Sequence, residues 1–326
     1  MKHFVKLGGA LVLCTALTAC SQQGEEEAAQ APVCDRACLI DLTNSYVAGL
    51  ESNDASGVTF SDEIRIVENL NRINAGEGLW ADITSAGTDF SVVIPDEENQ
   101  TAGWIGMVER EGTPAIVALR LKLDPRGSIV EAEHLYASVS EENAANLVTP
   151  RPGLLAELAE DGRHSHETLI AIGETYYVAL DDNDGSLAPF APDCERYENG
   201  LHAAGEGSGP GFDPERPVAN GCEAQMSAGM FKYITAIDNR RVFAADPVTG
   251  LVMGLSHFRH PMDFEPYEVL LEDGTTEMFS TGDPMTFDPF DLPAAHVMKV
   301  GEDGMMHEVE AMGFLAPLNA PTGWED

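Results

Sequence analysis

Apolar residues return at helical spacing over residues 36–53 (Leu39, Leu42, Tyr46, Leu50) and again over 165–182 (Leu169, Ile172, Tyr176, Leu180). Each run closes on Asn-Asp, a pair suited to a helix exit or turn, so a helix is predicted at both places. Behind each helix the pattern switches to alternation of apolar and polar positions. In the first half the alternating segments are "FSVVI", "GWIGMVE", "AIVALRLKL" and "SIVEAEHLYA"; in the second they are "FKYITAI", "RVFAAD", "GLVMGLSHF", "AAHVMKV" and "MMHEVEAMGF". These predict strands. Helices at the front with a meander behind them make each unit α+β, about 105 residues long before insertions.

The order is the same twice because the sequence is. Tyr46–Asn69 lies without a gap over Tyr176–Asn199, with eight identities in 24 positions, among them the Tyr, the Asn-Asp and the closing Glu-Asn. "AGEG" recurs at 75–78 and 204–207, and "VALRLKLDPRGSIVEAE" from Val117 lies over "AAHVMKVGEDGMMHEVE" from Ala294 at a larger shift. The growing shift puts insertions in the second copy, near 205–224 and 261–292. Both are rich in Gly, Pro and Asp and are expected to be loops. The reading is a first domain over 34–140, a Pro-marked linker over 141–163, a second domain over 164–317 and a short tail over 318–326. A chain of 326 residues is long enough for two cores.

The amino terminus changes the picture. "MKHFVKLGGALVLCTALTAC" pairs Lys2 and Lys6 with an apolar run too short to span a membrane, which is the form of an export signal over residues 1–20. Its end, "LTAC", resembles the bacterial lipobox, which implies lipidation at Cys20, and the acidic, polar stretch over 21–33 has the composition of a flexible tether. Ser21 beside the anchor resembles lipoproteins sent to the outer membrane. The expectation is an envelope protein on the periplasmic face, attached to the membrane through its lipid alone.

Against 18 basic residues stand 55 acidic ones, a net charge of −37 spread along the chain, so nucleic acid is excluded as a partner. Past Cys14 and Cys20, four cysteines remain: Cys34, Cys38, Cys194 and Cys222. An even number in an oxidising compartment implies two disulfides in one of three pairings. Local pairing needs no contact between the repeats. A Cys34–Cys38 bond requires the helix to begin within or after that segment. Free thiols and metal ligation are the alternatives; no histidine stands at a usual zinc spacing, and no metal or cofactor is expected.

"CDRACLIDLTNSYVAGL", "VEN…GEGLW" and "ALRLKL…GSIVEAE" resemble the SnoaL-like branch of the nuclear transport factor 2 superfamily. They are most similar to a group built from two such units, whose second unit carries a segment seen here as Cys194, Arg196, Glu198, Asn199 and Gly200. The resemblance covers roughly 34–137 and 164–315. It implies two tandem cones, each a bent antiparallel sheet over helices, paired with each other within the chain. It also implies a mouth that accepts a small organic molecule. Some members are cofactor-free cyclases, isomerases, hydrolases or lyases, and others only bind.

Strand parity selects the candidate residues. On the last strand His134 and, in the second copy, His307 share the parity of the acid–base residues of SnoaL-like cyclases, and the resemblance implies that both face inward; Glu131, Glu133, Glu308 and Glu310 fall on the opposite face, read as an exterior or inter-domain rim. "GLVMGLSHFRHP" places His257 with Leu255 and Arg259 on one side and His260 with Phe258 on the other, while His296 replaces Leu119 on an apolar face. The catalytic candidates are therefore His257, His296 and His307, with Glu198 and Arg196 as an acid–base couple. Tyr176, His260, His134 and Trp104 are the candidates for lining a pocket. The bland alternatives are satisfied core histidines and, for Glu68-Asn69 and Glu198-Asn199, a turn cap. No nucleophile elbow, phosphate loop or metalloprotease motif is present.

Overall fold

A computed structural model describes residues 33–209 and 215–325. The export signal, Cys20 and nearly all of the tether fall outside the described residues. Helix α1 (Arg36–Glu51) starts on Asp35, whose side chain accepts a hydrogen bond from the Cys38 amide, and buries Leu39, Tyr46 and Leu50. It is followed by β1 (Phe60–Glu68), β2 (Asn71–Ile73), a one-turn α2 (Leu79–Asp82), and then β3 (Ile83–Asp96), β4 (Thr101–Arg110), β5 (Thr113–Leu123) and β6 (Ile129–Ser138). The linker carries two short helices, α3 (Glu141–Ala144) and α4 (Pro152–Leu155), the latter with proline at its first turn.

The second half repeats the plan. It runs through α5 (His166–Asp182), β7 (Phe190–Glu198), β8 (Leu201–Ala204), α6 (Cys222–Ser227), β9 (Ala236–Asp246) and β10 (Leu251–His260). Then come β11 (Tyr267–Leu270), β12 (Thr276–Thr281), β13 (Pro284–Met285), β14 (Phe290–Val300), β15 (Met306–Gly313) and β16 (Ala316–Pro317). Helix α5 is capped by Ser165 and ends on Asn183 at φ 52°, as α1 is followed by Asn53 at φ 56°. The duplicated Asn supplies the left-handed residue at both exits.

The first sheet has the order β2-β1-β6-β5-β4-β3 and the second β8-β7-β15-β14-β10-β9, strand for strand the same. Neither is a pure meander: β6 returns to lie parallel to β1, and β15 parallel to β7, in the midst of antiparallel neighbours. Strand content (44%) outweighs helix (21%) in large curved sheets, so the α+β expectation holds. Two predicted segments differ. "FKYITAI" contributes only its last two residues to β9, and the insertion read as loop over 261–292 folds β11, β12 and β13 into a three-stranded sheet. Val269, Phe279 and Met285 anchor that sheet to the second-half core, which is why it forms.

Three large apolar clusters result, with a small fourth of Cys34, Leu39 and Leu123. One fills each half beneath its helix, and the third lies between the halves, where Ile94, Ile105 and Ile116 of the first sheet meet Met253, Ala295 and Val297 of the second. Charged residues border this contact. Arg241 forks onto Glu133 with two 2.8 Å hydrogen bonds, and Arg36 pairs with buried Asp246 at 2.9 Å. Arg151 of the linker binds Glu308 and Glu310. Burial, with Glu308 adding to it, pushes the Glu310 carboxyl up to about 7 even though Arg151 opposes the shift. The two disulfides are Cys34–Cys38 and Cys194–Cys222; Cys34 precedes α1, which begins inside the bridged segment.

Candidate functional site

The strand registers align the halves residue by residue. Glu68 stands opposite His134 and Glu198 opposite Ala311; Leu119 stands opposite the same His134 and His296 opposite the same Ala311. One strand further on, Trp104 faces Leu119 and Gly254 faces His296. Equivalent positions therefore read Tyr46 and Tyr176, Ile66 and Arg196, Glu68 and Glu198, Leu119 and His296, His134 and Ala311, Trp104 and Gly254.

In the first half these positions are closed. His134 is fully buried, its Nδ1 at 3.0 Å from Glu68 Oε2 and its Nε2 at 2.7 Å from the Tyr46 hydroxyl. Glu68 also accepts the Leu79 amide at 3.0 Å, which ties down α2 and sets Trp80 edge-on against Tyr46, ring centroids 5.1 Å apart. Trp104 is buried in the same cluster and donates to Ser91 at 2.8 Å. Tyr46, His134 and Glu68 satisfy one another, and the rings of Trp80 and Trp104 pack into this interior.

In the second half five of the six positions, Tyr176, Arg196, Glu198, His296 and Ala311, line a cavity of about 370 Å³. Tyr176 and Leu180 of α5, Arg196 and Glu198 of β7, Phe258 and His260 of β10 and His296 of β14 all reach it. A second chamber of about 200 Å³ shares Arg196, Glu198, Leu201, Phe231 and Tyr233 with the first, so the Arg196–Glu198 pair stands in the wall common to both. Among the described residues no turn matching α2 follows β8, and the next helix in the chain is α6. From α6, Gln225 accepts a hydrogen bond from the buried Arg196 guanidinium while donating to the Ala203 carbonyl at 2.8 Å.

The electrostatics of the cavity are set by burial. His296 is pushed down to about 3, first by burial and then by the charge of Arg196. Its Nδ1 lies 3.3 Å from the Tyr177 hydroxyl, and no carboxylate stands behind it among the described residues. His260, stacked on Phe290 with centroids 4.1 Å apart, is pushed by burial to about 4. Burial raises the Tyr176 hydroxyl to about 12, with Arg196 pulling the other way. Arg196 keeps its charge: burial works against it, but Glu198 and Tyr176 outweigh that effect. Near neutral pH the chamber thus holds two neutral imidazoles and one ion pair.

The candidates divide accordingly. The structure brings together His296, Arg196, Glu198, His260 and Tyr176. It places His134 and Trp104 in the packed interior of the first half. His257 lies outside this cavity, on the face of β10 opposite Phe258 and His260, 3.4 Å from Arg259 and 3.5 Å from Asp291. The inward orientation expected for His307 is corrected. The residue sits at the start of β15, where the register shifts, and turns out to Asp193 at 2.8 Å and Asp303 at 3.2 Å. The duplicated asparagines cap: Asn69 (φ 40°) and Asn199 (φ 46°) each exchange two hydrogen bonds with the backbone of the last strand, at Tyr136 and Gly313. Gln225, Phe231 and Tyr233 were not singled out in the sequence, and the one signal for them is Cys222, whose bond to Cys194 pins this segment beside β7.

Residues 162–313, the second half, match a family described as a domain of unknown function (DUF8021). No curated protein matches the chain.

Proposed function

We propose that this chain is a tandem nuclear transport factor 2-like protein of the SnoaL-like kind whose second cone binds a small organic molecule, and that lipid on Cys20 holds it at the periplasmic face of the envelope. One observation carries the reading: the second half keeps open, and lines with Arg196, His296 and His260, the volume that the first half fills with Trp80 and a self-satisfied Tyr46–His134–Glu68 network. A chamber of this size, mostly aromatic and aliphatic with a few converging polar groups, is the ordinary form of a ligand site. The first cone serves as a packed partner. Among the described residues no helix is long and apolar enough to cross a membrane, and the proposed attachment needs none.

Binding without chemistry is the better-supported form of the proposal. A histidine base works best with a pKa near the working pH, and His296 is held far below that with no carboxylate to orient it. The second form, a cofactor-free lyase, isomerase or hydrolase, is favoured by the convergence of Tyr176, Arg196 and Glu198, in which the Tyr176 hydroxyl would be the proton donor.

The uncharged fluorescent probe 1-aminoanthracene tests the binding reading. Its emission is expected to rise on saturable binding to wild type. Ala311→Leu and the bulkier Ala294→Trp, both placed in the cavity wall, are expected to weaken it at least tenfold, and His307→Ala, partly exposed and outside the cavity wall, to leave it unchanged. Equal binding by wild type and both cavity variants would remove the proposal.

A further inference from the structure

Resting on the cavity reading above, we infer that Arg196 anchors the carboxylate of an amphipathic monocarboxylic acid, which takes the guanidinium in place of Glu198 while its apolar part fills the two chambers. The inference begins with an asymmetry. Arg196 is 3% exposed, whereas the side chain of its partner Glu198 is 47% exposed. A buried guanidinium needs a counter-charge wherever the partner goes; a half-exposed carboxylate can turn into water at little loss.

The plan shared by the two halves does not require a cation at this strand position. The same strand position in the first half is Ile66, buried in the core. The first-half carboxylate, by contrast, is fixed: Glu68 is held by the Leu79 amide and by His134. Among the described residues neither holder is found at the corresponding place in the second half: no turn matching α2 follows β8, and Ala311 stands for the histidine. Glu198 is thus an unfastened version of a fastened residue, resting on a cation that sits in the wall between two chambers.

The surroundings specify the rest of the ligand. A guanidinium offers parallel N–H donors that fit one carboxylate in bidentate fashion. His296 and His260, the other basic groups facing the inner chamber, are buried and uncharged, so a single negative charge is balanced and a second is not. Leu180, Phe258 and Leu292 supply apolar wall to the inner chamber, and Met230 and Phe287 to the outer. At the rim Leu201 and Phe287 leave about half of their surface in water (51% and 47%), an apolar lip that an acyl or aryl body would cover.

Decanoate and its uncharged isostere decanamide, titrated by calorimetry into full-length wild type, Arg196→Ile and Glu198→Gln, decide the matter. Decanoate is expected to bind wild type at least tenfold more tightly than decanamide, to lose that margin in Arg196→Ile, and to gain several-fold in Glu198→Gln, where the competing carboxylate is gone. Isoleucine is the first half's own residue at this position; should that variant nonetheless fail to fold, the Glu198→Gln comparison stands alone. Equal affinity of acid and amide, or weaker decanoate binding in Glu198→Gln, overturns the inference. If neither ligand binds while 1-aminoanthracene still does, the inference falls and the cavity reading survives; if no probe binds, both fall.

Discussion

At the scale of single residues, the two halves differ by a histidine moved one strand sideways. His134 on β6 faces Leu119, and His296 on β14 faces Ala311, so each pair holds one ring and one small or apolar partner with the strands exchanged. On β6 the ring reaches Tyr46 and Glu68 and becomes a closed internal link; on β14 it meets tyrosines and stays neutral. This neutrality has a pH signature. In the folded chain His296 is pushed to about 3, below its ordinary value in the unfolded chain, so the unfolded state takes up the proton first as pH falls. The stability His296 contributes is complete above about pH 6.5 and is lost progressively toward pH 3. His296→Leu, the first-half residue, removes this loss. Between pH 7 and pH 4.5, urea denaturation is expected to show wild type losing about 2 kcal/mol more than the variant. Parallel losses would mean that His296 is not held neutral. The substitution Leu119 to His296 was legible in the sequence; which histidines share a chamber was not, since parity sorts residues only within one strand.

At the scale of elements, α6 shows how an insertion makes a site. It follows a Gly-rich stretch, lasts under two turns, and is held to β7 by Cys194–Cys222. Through that bond Gln225 is placed on Arg196, and the 228–235 segment brings Phe231 and Tyr233 to the chamber wall. Closing a loop of 28 residues stabilises by about 3.5 kcal/mol in the chain-entropy account. Replacing both cysteines with alanine is expected to lower unfolding free energy by about that amount and to weaken 1-aminoanthracene binding, read by urea denaturation and by fluorescence. A loss of stability with unchanged binding would show that α6 stays in place without its bond. The alternation in "FKYITAI" misled because a loop that dips side chains into a cavity wall also repeats every second residue. The small β11–β13 sheet was hidden for the opposite reason: its turns were conspicuous and its strands short.

At the scale of the whole molecule, the two sheets share a core. Gly103 of β4 lies so close to Met253 of β10 that a methyl group there would meet the sulfur at 2.4 Å, and Thr101 donates to the Phe243 carbonyl at 2.8 Å. Halves joined by a common apolar layer are expected to unfold as one. All three tryptophans report on the first half, Trp80 and Trp104 from its core and Trp324 from its contacts with Arg65 and Arg120. Their fluorescence and the far-ultraviolet circular dichroism should therefore trace a single urea transition, which Arg241→Ala lowers by about 3 kcal/mol by stranding the buried Glu133 carboxylate. Two separated transitions would contradict the shared core.

The sequence by itself determined the periods, the helix exits at duplicated asparagines, the doubling and the α+β class, because these depend on neighbours a few residues apart or on plain repetition. Only the tertiary structure decided which face of each strand is inside, which half is packed solid and which is open, and which of the polar residues meet. Those outcomes rest on what stands across a sheet: Trp80 packed in one interior, Arg196 and His296 lining a cavity in the other, and a second sheet covering the remaining faces.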